Sequence, residues 1–558
     1  MKWFKGEILS FLGIAFASIV ICFDLFTHAG IPATMDGIIH ITVIEQFYRV
    51  LQSGEFPVTW LDKFANYGQP VPLYAQQLPA YIGALLTSLT QNPVITFNLL
   101  IFLAIFLSAS FFYVFLRFYF NPLISFVAVI IFSLAPYRII DVYIRGDLPE
   151  LLSQVLLPLI LIGLYLLIQK KQPKGFYLIL ISAALLALCH PMMLLIYSFF
   201  IIPYVVFLIL SLKEEKSVKV KVTSLTILAF IVGIGIASYY LIPLKIETKY
   251  LYFGRGNPFD SNLFFSWSNI FLERWQSHID NGILTRVQIV QVGLPEILIV
   301  IFGLLLVIKQ IFWDKKRKLS LLIFCVFCAL LTLFFMLPYS LSIYEHTLLQ
   351  NIQFPWRMLA IFIFIPPILL AIFLKNIKNK VIYLPIILFV VIIFLVIRVP
   401  QLYGKDYIDH PQGTYDFTAV NLNSVMMNTI WTGKTESYPV EKTKASIIGG
   451  KGEIISSVVR NSSRTYSLVA QTPLQMVDYT FYFPGWDVKV DNRDVPIQYQ
   501  DPHYRGVITY NVPAGNHTVV LAYKPTKVRI LANMLTFLFL GISIVLILLR
   551  KKLRKVIA

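Results

Sequence analysis

Charged side chains are scarce in this sequence. Of its 558 residues, 14% are charged and 57% are hydrophobic, and a soluble protein of this length needs a larger charged surface. The apolar residues also form continuous blocks, which lack the polar faces that the outer helices of a soluble enzyme require. These two observations exclude a large soluble enzyme and predict a polytopic α-helical membrane protein.

Cysteine is also rare. The four cysteines, Cys22, Cys189, Cys325 and Cys328, all lie inside apolar blocks, so the sequence offers no disulfide framework. Cys325 and Cys328 form a C-x-x-C pair, but within an apolar membrane segment packing is the better interpretation than zinc or redox chemistry. The motifs of common soluble enzymes are missing too: no Walker loop, G-x-S-x-G, H-E-x-x-H or dinucleotide fingerprint stands in a suitable context.

About twelve apolar segments approach the roughly 20 residues that cross a bilayer. No small-x-small cleavage site follows Phe23, so we interpret the N-terminal segment as an uncleaved first span. The segment 78–90 is short, follows Pro70 and Pro72 and contains Pro79, which is typical of a half-inserted or interfacial helix. The predicted spans are 8–27, 93–116, 121–137, 151–168, 176–190, 191–212, 222–243, 293–309, 319–337, 356–374, 381–398 and 530–549.

The net charge of +18 has a topological explanation. When the spans are traced from a cytoplasmic N-terminus, the whole basic excess falls on the cytoplasmic side, as the positive-inside rule requires. The charge therefore reports orientation and predicts no nucleic-acid partner. We therefore expect a multi-pass protein of the plasma membrane with both its N-terminus and its C-terminus in the cytoplasm. The basic segments are 1–7, Arg117, 169–175, 213–221, 309–318, 375–380 and 550–555.

The sequence of residues 399–529 predicts a polar, strand-rich domain that lies outside the cytoplasm. Residues alternate in the strand manner from Trp486 and again from His517, with turn residues at 491–492 and 513–515. A small β-sandwich is the expected architecture. The predicted organisation is a transmembrane domain over 1–398, the β-rich domain over 399–529, and a last span with a basic tail over 530–558. The domain could bind a polymer or cap a cavity, and the sequence leaves both open.

Ionisable side chains gather in the outward loops, whereas the span interiors hold almost none. A transporter of ions or polar solutes places charges or broken helices at mid-depth. The pattern therefore favours an enzyme that works where lipid headgroups meet water. Soluble nucleotide donors are scarce on that side, so a transferase there needs a lipid-carried donor. The main loops are 28–92, 138–150, 244–292 and 338–355.

Asp36 and His40 are the catalytic candidates. They lie four residues apart just after the first span and share a helix face if a helix starts there. Asp36 could simply cap that helix, which for Asp alone is the commoner role. It could also act as a general base for an acceptor hydroxyl. The two roles are compatible.

Several arginines could bind a donor phosphate, because guanidinium forks match phosphate oxygens. For any single arginine, contact with solvent or a lipid headgroup is the commoner role. Arg357 is the favoured exception, because Pro355-Trp356 precedes it at the entrance of a span. Arg255 and Arg286 are further candidates. Asp147 and Glu150 could orient donor or acceptor or merely pair with Arg145. For His190, a hydrogen-bonded structural role is the better interpretation.

Short segments in a fixed order resemble the GT-C superfamily of membrane glycosyltransferases. More specifically, they resemble the membrane proteins labelled 6-pyruvoyl-tetrahydropterin synthase-related and their YfhO-like relatives. Each segment is moderately specific, but together they span nearly the whole chain. They are Asp36–His40, Ser53–Trp60, Tyr67–Pro70 with Tyr74, Arg145–Glu150, Tyr239–Pro243 with Glu247, Gln353–Arg357, Tyr482–Asp491 and Val512–His517.

The resemblance implies inverting transfer of a sugar from a polyprenyl phosphate to a glycan, lipid or protein acceptor outside the cytoplasm. It puts the first-loop acid on Asp36 and implies a basic residue near the donor phosphate, for which Arg357 is our candidate. Our candidates for acceptor or orienting groups are Arg145, Asp147, Glu150 and Glu247. No cofactor is certain and a divalent metal is possible. One departure is that Asp36 has no acidic neighbour before Glu45, so a second acid would come from elsewhere. The eight scattered histidines do not support pterin-synthase chemistry.

Two alternatives remain open at this stage. A transporter or flippase for lipid-linked glycans predicts polar residues deep in several spans and internal repeats, and neither is visible. A non-catalytic scaffold for cell-envelope polymer assembly predicts that Asp36→Asn leaves function intact. The donor sugar, the acceptor, the linkage and the oligomeric state cannot be read from the sequence.

Overall fold

The chain consists of a bundle of apolar helices and a β-domain near its C-terminus. It is described by a computed structural model. The described residues are 2–28, 30–64, 67–252, 261, 264–267, 270, 278–280, 283–285, 291–313, 320–404, 406–408, 428–432, 441 and 443–549.

Helices occupy most of the described chain outside the β-domain. In chain order they are α1 (Lys2–Cys22), α2 (Gly37–Gln52), α3 (Val71–Tyr74), α4 (Gln77–Thr90), α5 (Pro93–Leu116), α6 (Pro122–Ser133), α7 (Pro136–Ile140), α8 (Leu148–Leu164), α9 (Pro173–Cys189), α10 (Pro191–Ser211), α11 (Lys216–Ile236), α12 (Ser238–Glu247), α13 (Leu294–Trp313), α14 (Leu321–Met336), α15 (Leu341–His346), α16 (Leu359–Phe362), α17 (Ile365–Asn376), α18 (Lys380–Arg398) and α19 (Lys527–Leu548). A π-helical turn, Asp141–Arg145, joins α7 to the loop before α8.

Nine helices of the described residues are long and apolar enough to cross a membrane, and two bent helix pairs raise the number to eleven. The bent pairs are Pro122–Ser133 with Pro136–Arg145 and Leu321–Met336 with Pro338–His346, while Pro173–Cys189 is apolar but shorter. The polytopic membrane architecture is therefore confirmed, and the count of twelve spans stays a prediction. The segment predicted as interfacial forms the 14-residue helix α4.

Local sequence explains where these helices begin. Proline occupies the first helical position of α5 and α6, where its missing N–H would have no partner in any case. The side chains of Asn92 and Asn121 accept hydrogen bonds from the first free backbone N–H groups of the same two helices. The outer faces are apolar: Phe537 and Leu548 of α19 are 72% and 76% exposed. Such faces are stable against hydrocarbon, not against water.

The β-domain is a two-layered structure. One antiparallel sheet has the strand order β10-β9-β12-β7-β6 and the other the order β11-β8-β5. The strands are β5 (Ala445–Gly449), β6 (Gly452–Val459), β7 (Ser463–Ala470), β8 (Leu474–Phe481), β9 (Trp486–Val490), β10 (Arg493–Val495), β11 (Val507–Val512) and β12 (Gly515–Tyr523). The remaining short strands are β1 (Ile31–Pro32), β2 (His278–Asp280), β3 (Ile283–Thr285) and β4 (Tyr407–Ile408), and β1 pairs with β4.

The predicted turn at 491–492 closes the β9–β10 hairpin. Asp491 and Asn492 both have positive φ, 49° and 65°, the backbone that tight hairpin turns need and that Asp and Asn tolerate. Alternate residues of β9, Trp486, Val488 and Val490, are buried between the sheets. The predicted alternation from Trp486 is therefore confirmed.

The loop between α2 and α3 docks on the β-domain. Trp60 packs edge to face against Trp486, with ring centroids 5.3 Å apart. Asp62 forms ion pairs with Arg464 and with Lys444, the latter at 2.9 Å, and the Arg464 side chain is completely buried. The helical bundle and the β-domain are thus joined by both an aromatic and an ionic contact.

Replacing Asp62 by Asn is expected to weaken this junction. The buried guanidinium of Arg464 would lose its nearest carboxylate, and one such loss costs about 1–3 kcal/mol of stability. Thermal unfolding of the protein in nanodiscs, followed by tryptophan fluorescence, measures it. The control is Asp494→Asn, because Asp494 is 82% exposed and its pair with Lys489 should contribute little. Equal midpoints for the two variants would contradict the assignment.

Candidate functional site

Asp36 is held against the end of the π-helical turn. Its backbone N–H donates to the carbonyl of Arg145 at 2.8 Å, and the N–H of Met35 donates to the carbonyl of Ile144 at 3.0 Å. The hydroxyl of Thr34 accepts from the N–H of Gly37 at 3.1 Å, which fixes the first turn of α2. Backbone contacts therefore set the position of Asp36 relative to Arg145.

Gly146 makes this close approach possible. Its φ is +64°, and a Cβ at this position would lie 2.4 Å from the Thr34 hydroxyl and 2.9 Å from the N–H of Gly37. Any side chain here would push the two segments apart and would also strain the backbone. The glycine in Arg145-Gly-Asp147 therefore has a packing reason.

Asp36 stands at the N-cap position of α2, yet its side chain makes no capping hydrogen bond. The carboxylate also has no ion pair or hydrogen bond to any other described residue. It is partly exposed, and His40 lies one turn further along the same helix. The simple capping role is therefore not realised, and the carboxylate is free to act on something else.

Arg145 is the centre of a buried ion-pair cluster, which we define as Asp141, Arg145, Asp147, Glu150 and Arg357. The Arg145 guanidinium pairs with Asp141, with Asp147 at 2.6 Å and with Glu150 at 3.0 Å. Arg357 approaches Asp147 at 3.8 Å and Glu150 at 3.6 Å. All five side chains are at most 7% exposed. Three carboxylates and two guanidinium groups thus share one pocket of low dielectric.

Aromatic and polar groups enclose the cluster. The Arg145 guanidinium lies over the Trp356 ring at 4.9 Å, and the hydroxyl of Tyr137 donates to Glu150. Arg138 donates to Gln154 at 2.6 Å, and the Gln154 amide in turn donates to Asp141 at 3.1 Å. Through Gln154 a third guanidinium group helps to balance the three carboxylates.

Asp36 is a fourth carboxylate beside this balanced set. Burial, and then the negative charge of Asp147, raise the pKa of Asp36 above its usual range, although His40, Arg145 and Arg357 act in the opposite direction. Burial lowers the pKa of His40, so at neutral pH this imidazole supplies little positive charge to offset Asp36. A carboxylate with a raised pKa and no partner can accept a proton from a bound hydroxyl.

Two neighbouring groups, Asp147 and His190, keep one protonation state. Burial opposes ionisation of Asp147, but Arg145 outweighs that cost and holds the pKa of Asp147 well below its usual range. Burial lowers the pKa of His190 to about 3, so its imidazole stays neutral. Asp147 therefore serves as a permanent negative charge and Asp36 as the group that can change protonation state.

Asp147, Glu150 and His190 could also hold a metal ion, because one ligand atom from each lies within 4.8 Å of the others. The Nδ1 atom of His190 has no hydrogen-bond partner and is buried. Against this, both carboxylates already face guanidinium groups, so a divalent cation would have to compete with Arg145 and Arg357. The ligand types of these three residues suit a cation, but the negative charge of the two carboxylates is already neutralised by the arginines.

The structure brings together six of the predicted site residues: Asp36, His40, Arg145, Asp147, Glu150 and Arg357. His40 reaches Asp147 at 4.0 Å. Arg255 and Arg286 lie outside the described residues. Asp141 and Arg138 were not among the predicted site residues, although their spacing from Arg145 along a helical segment could have indicated shared faces.

Glu247 lies apart from the ion-pair cluster. It accepts from Arg529 at 2.8 Å and from the Thr526 hydroxyl, and these contacts link the end of α12 to the start of α19. Its carboxylate is therefore engaged in fixing the last helix.

Comparison with known proteins places the chain in a family. The model of the 6-pyruvoyl-tetrahydropterin synthase related domain, a membrane protein family, matches residues 73–402, more than half of the chain. The chain therefore belongs to this family. A protein of Lactococcus lactis subsp. cremoris, described as uncharacterized, is 25% identical over 309 residues. That alignment covers 54% of this chain and 47% of the relative, so the chain matches about half of the relative's length. No solved structure matches.

Asp36→Asn is expected to stabilise the protein at neutral pH. Because the folded state raises the pKa of Asp36, folding favours the protonated form, and the ionised carboxylate destabilises the fold as the pH rises through that pKa. The amide avoids this cost. Thermal unfolding midpoints of both proteins across pH 4 to 8 test it. The variant's advantage should shrink towards acidic pH, and a variant less stable at pH 8 would show a structural capping role instead.

Proposed function

We propose that this member of the 6-pyruvoyl-tetrahydropterin synthase related family is a GT-C-type glycosyltransferase. It would transfer a sugar from a polyprenyl-phosphate donor to a glycan, lipid or protein acceptor. The positive-inside charge distribution supports placing the ion-pair cluster and the β-domain outside the cytoplasm. A donor carried in the bilayer could reach helix ends on that side directly.

The unpaired carboxylate of Asp36 is the observation that carries this proposal. The carboxylates of the ion-pair cluster each face a guanidinium group, whereas Asp36 has no ion pair among the described residues. A protein that needed only stability would gain from an amide at this position. A general base, in contrast, needs such a group next to the reacting hydroxyl.

The two arginines of the cluster suit different roles. Arg145 is held by three carboxylates at hydrogen-bonding distance, so it keeps them in position. Arg357 lies 3.6 and 3.8 Å from its carboxylate neighbours, and its Nε donates to no described residue. Its guanidinium can therefore turn to a phosphate oxygen without breaking a short ion pair.

The reaction would be a single displacement. The acceptor oxygen attacks the anomeric carbon, its proton passes to Asp36, and the bond between that carbon and the phosphate oxygen breaks. The electron pair leaves with the polyprenyl phosphate, where Arg357 stabilises the negative charge that develops. One in-line displacement inverts the anomeric configuration. No oxidant or nucleotide is required.

Asp36→Asn is expected to reduce sugar transfer about 100-fold or more, which is the usual contribution of a general base. Membrane extracts containing polyprenyl-phosphate sugars, incubated with the purified protein in nanodiscs, provide the assay. Glu345→Gln is the matched control, because Glu345 is an exposed carboxylate of α15 outside the cluster. If Asp36→Asn transferred sugar at the wild-type rate, Asp36 would not be the general base. If the wild-type protein transferred no sugar, the proposed function would be replaced by that of a scaffold or a transporter.

Arg357→Gln is expected to weaken donor use while leaving the ion pairs of Arg145 in place. Loss of one charge-assisted hydrogen bond to phosphate corresponds to roughly a tenfold or greater fall in kcat/KM for the donor. Arg357→Lys should recover part of it. Arg49→Gln is the control, since Arg49 is 45% exposed and pairs with Glu45 on α2. A donor KM and kcat unchanged in Arg357→Gln would remove Arg357 from the site.

A further inference from the structure

Four aromatic rings form a cluster where the β-domain meets the helical bundle. We define this aromatic platform as Tyr250, Trp431, Tyr482 and Tyr499. Tyr482 and Tyr499 stack with ring centroids 3.9 Å apart and planes 2° apart. Trp431 meets Tyr482 edge to face at 5.1 Å and Tyr499 at 5.3 Å, and it stacks on Tyr250 at 5.6 Å.

Backbone pairing fixes the platform from three separate segments. The N–H of Ile430 donates to the carbonyl of Tyr250 at 3.0 Å, and the N–H of Tyr252 donates to the carbonyl of Asn428 at 3.1 Å. Trp431 is thereby held beside Tyr250. The N–H of Gly506 donates to the carbonyl of Tyr499 at 2.8 Å, which fixes the third segment. The rings are preorganised, so little entropy is lost when they bind a ligand.

The platform is only half-buried. All four residues keep part of their surface exposed, unlike Trp60 and Trp486 at the neighbouring junction, which are buried. Within the described chain, the three tyrosine hydroxyls and the Trp431 indole N–H have no hydrogen-bond partner, and none of these atoms is buried. The platform therefore offers ring surface together with four polar groups at its edge.

From this combination we propose that the aromatic platform binds a carbohydrate chain. The C–H face of a pyranose ring is apolar and packs on an aromatic ring, while its equatorial hydroxyls remain at the edge to hydrogen-bond. A protein partner would be expected to use aliphatic groups as well. The exposed aliphatic side chains of the β-domain lie instead on the edge strand β6 and its neighbour β7: Ile455, Val458 and Val459 on β6 and Val469 on β7.

The platform is also connected to the first loop. The Gln69 amide donates to the Asn428 side chain at 2.9 Å, and the Tyr74 hydroxyl donates to Gln69 at 2.9 Å. A sugar chain on the platform would thus lie beside the loop that follows α2, the helix that begins after Asp36. This position suits the acceptor of the transfer reaction. That the bound sugar chain is the acceptor rests on the proposed function, whereas carbohydrate binding by the platform does not.

Binding to three hexasaccharides tests the proposal: cellohexaose, maltohexaose and the hexamer of β-1,4-linked N-acetylglucosamine. The full-length protein is used in nanodiscs, because maltoside detergents would occupy a sugar site. Quenching or shift of tryptophan fluorescence and isothermal titration give Kd. We expect at least one oligosaccharide to bind, and Tyr499→Ala to weaken it about tenfold, the loss of one stacking contact. Tyr499→Phe should retain most of the affinity.

The control is Tyr339→Ala, since Tyr339 is 70% exposed outside the platform. Absence of binding by all three oligosaccharides at millimolar concentration, or equal affinity of Tyr499→Ala and wild type, would overturn the proposal. Binding that persists in Asp36→Asn while sugar transfer is lost supports both proposals. Oligosaccharide binding by a wild-type protein without transferase activity would leave the platform intact and remove the proposed function.

Discussion

Buried charges must be matched, and this constraint organises the functional end of the helical bundle. Moving ionised groups out of water is affordable only when partners surround them. Arg145 supplies that match for Asp141, Asp147 and Glu150, which come from the π-helical turn, the following loop and the start of α8. Arg357 closes the set from the entrance of another helix. Because these charges hold each other in place, the unpaired carboxylate of Asp36 beside them is the candidate functional group.

The same end of the molecule carries the contacts to the β-domain. Gly146 lets the start of α2 approach the Arg145 segment, and the loop after α2 then reaches Trp486 and Arg464 of the β-domain. The position of the β-domain and that of Asp36 are therefore set by one stretch of chain. In the proposed enzyme this stretch would connect the reacting groups to the aromatic platform that binds the sugar chain.

Much of this architecture follows from local sequence, and some of it does not. The apolar blocks predict membrane helices, because the length and hydrophobicity of a segment are enough to identify one. Turn residues such as Asp491 predict the β9–β10 hairpin through their backbone preferences. Asp36, Asp147, Glu150 and Arg357 were each identified from chain context. The pairing of Asp147 and Glu150 with Arg145 was among the predictions, because these residues are close in sequence. That Arg357 lies beside them leaves no local pattern, because the contact joins distant helices. Glu247 was predicted as an acceptor or orienting group, but its carboxylate pairs with Arg529. That partner lies far along the chain, so the local sequence around Glu247 gave no sign of it.

A structure of the protein with a bound polyprenyl-phosphate sugar tests the central claim most directly. The account predicts that the donor phosphate contacts the Arg357 guanidinium and that the anomeric carbon faces Asp36, with room between them for an acceptor hydroxyl. A donor whose phosphate lies away from Arg357, or whose sugar is separated from Asp36 by the ion-pair cluster, would contradict it.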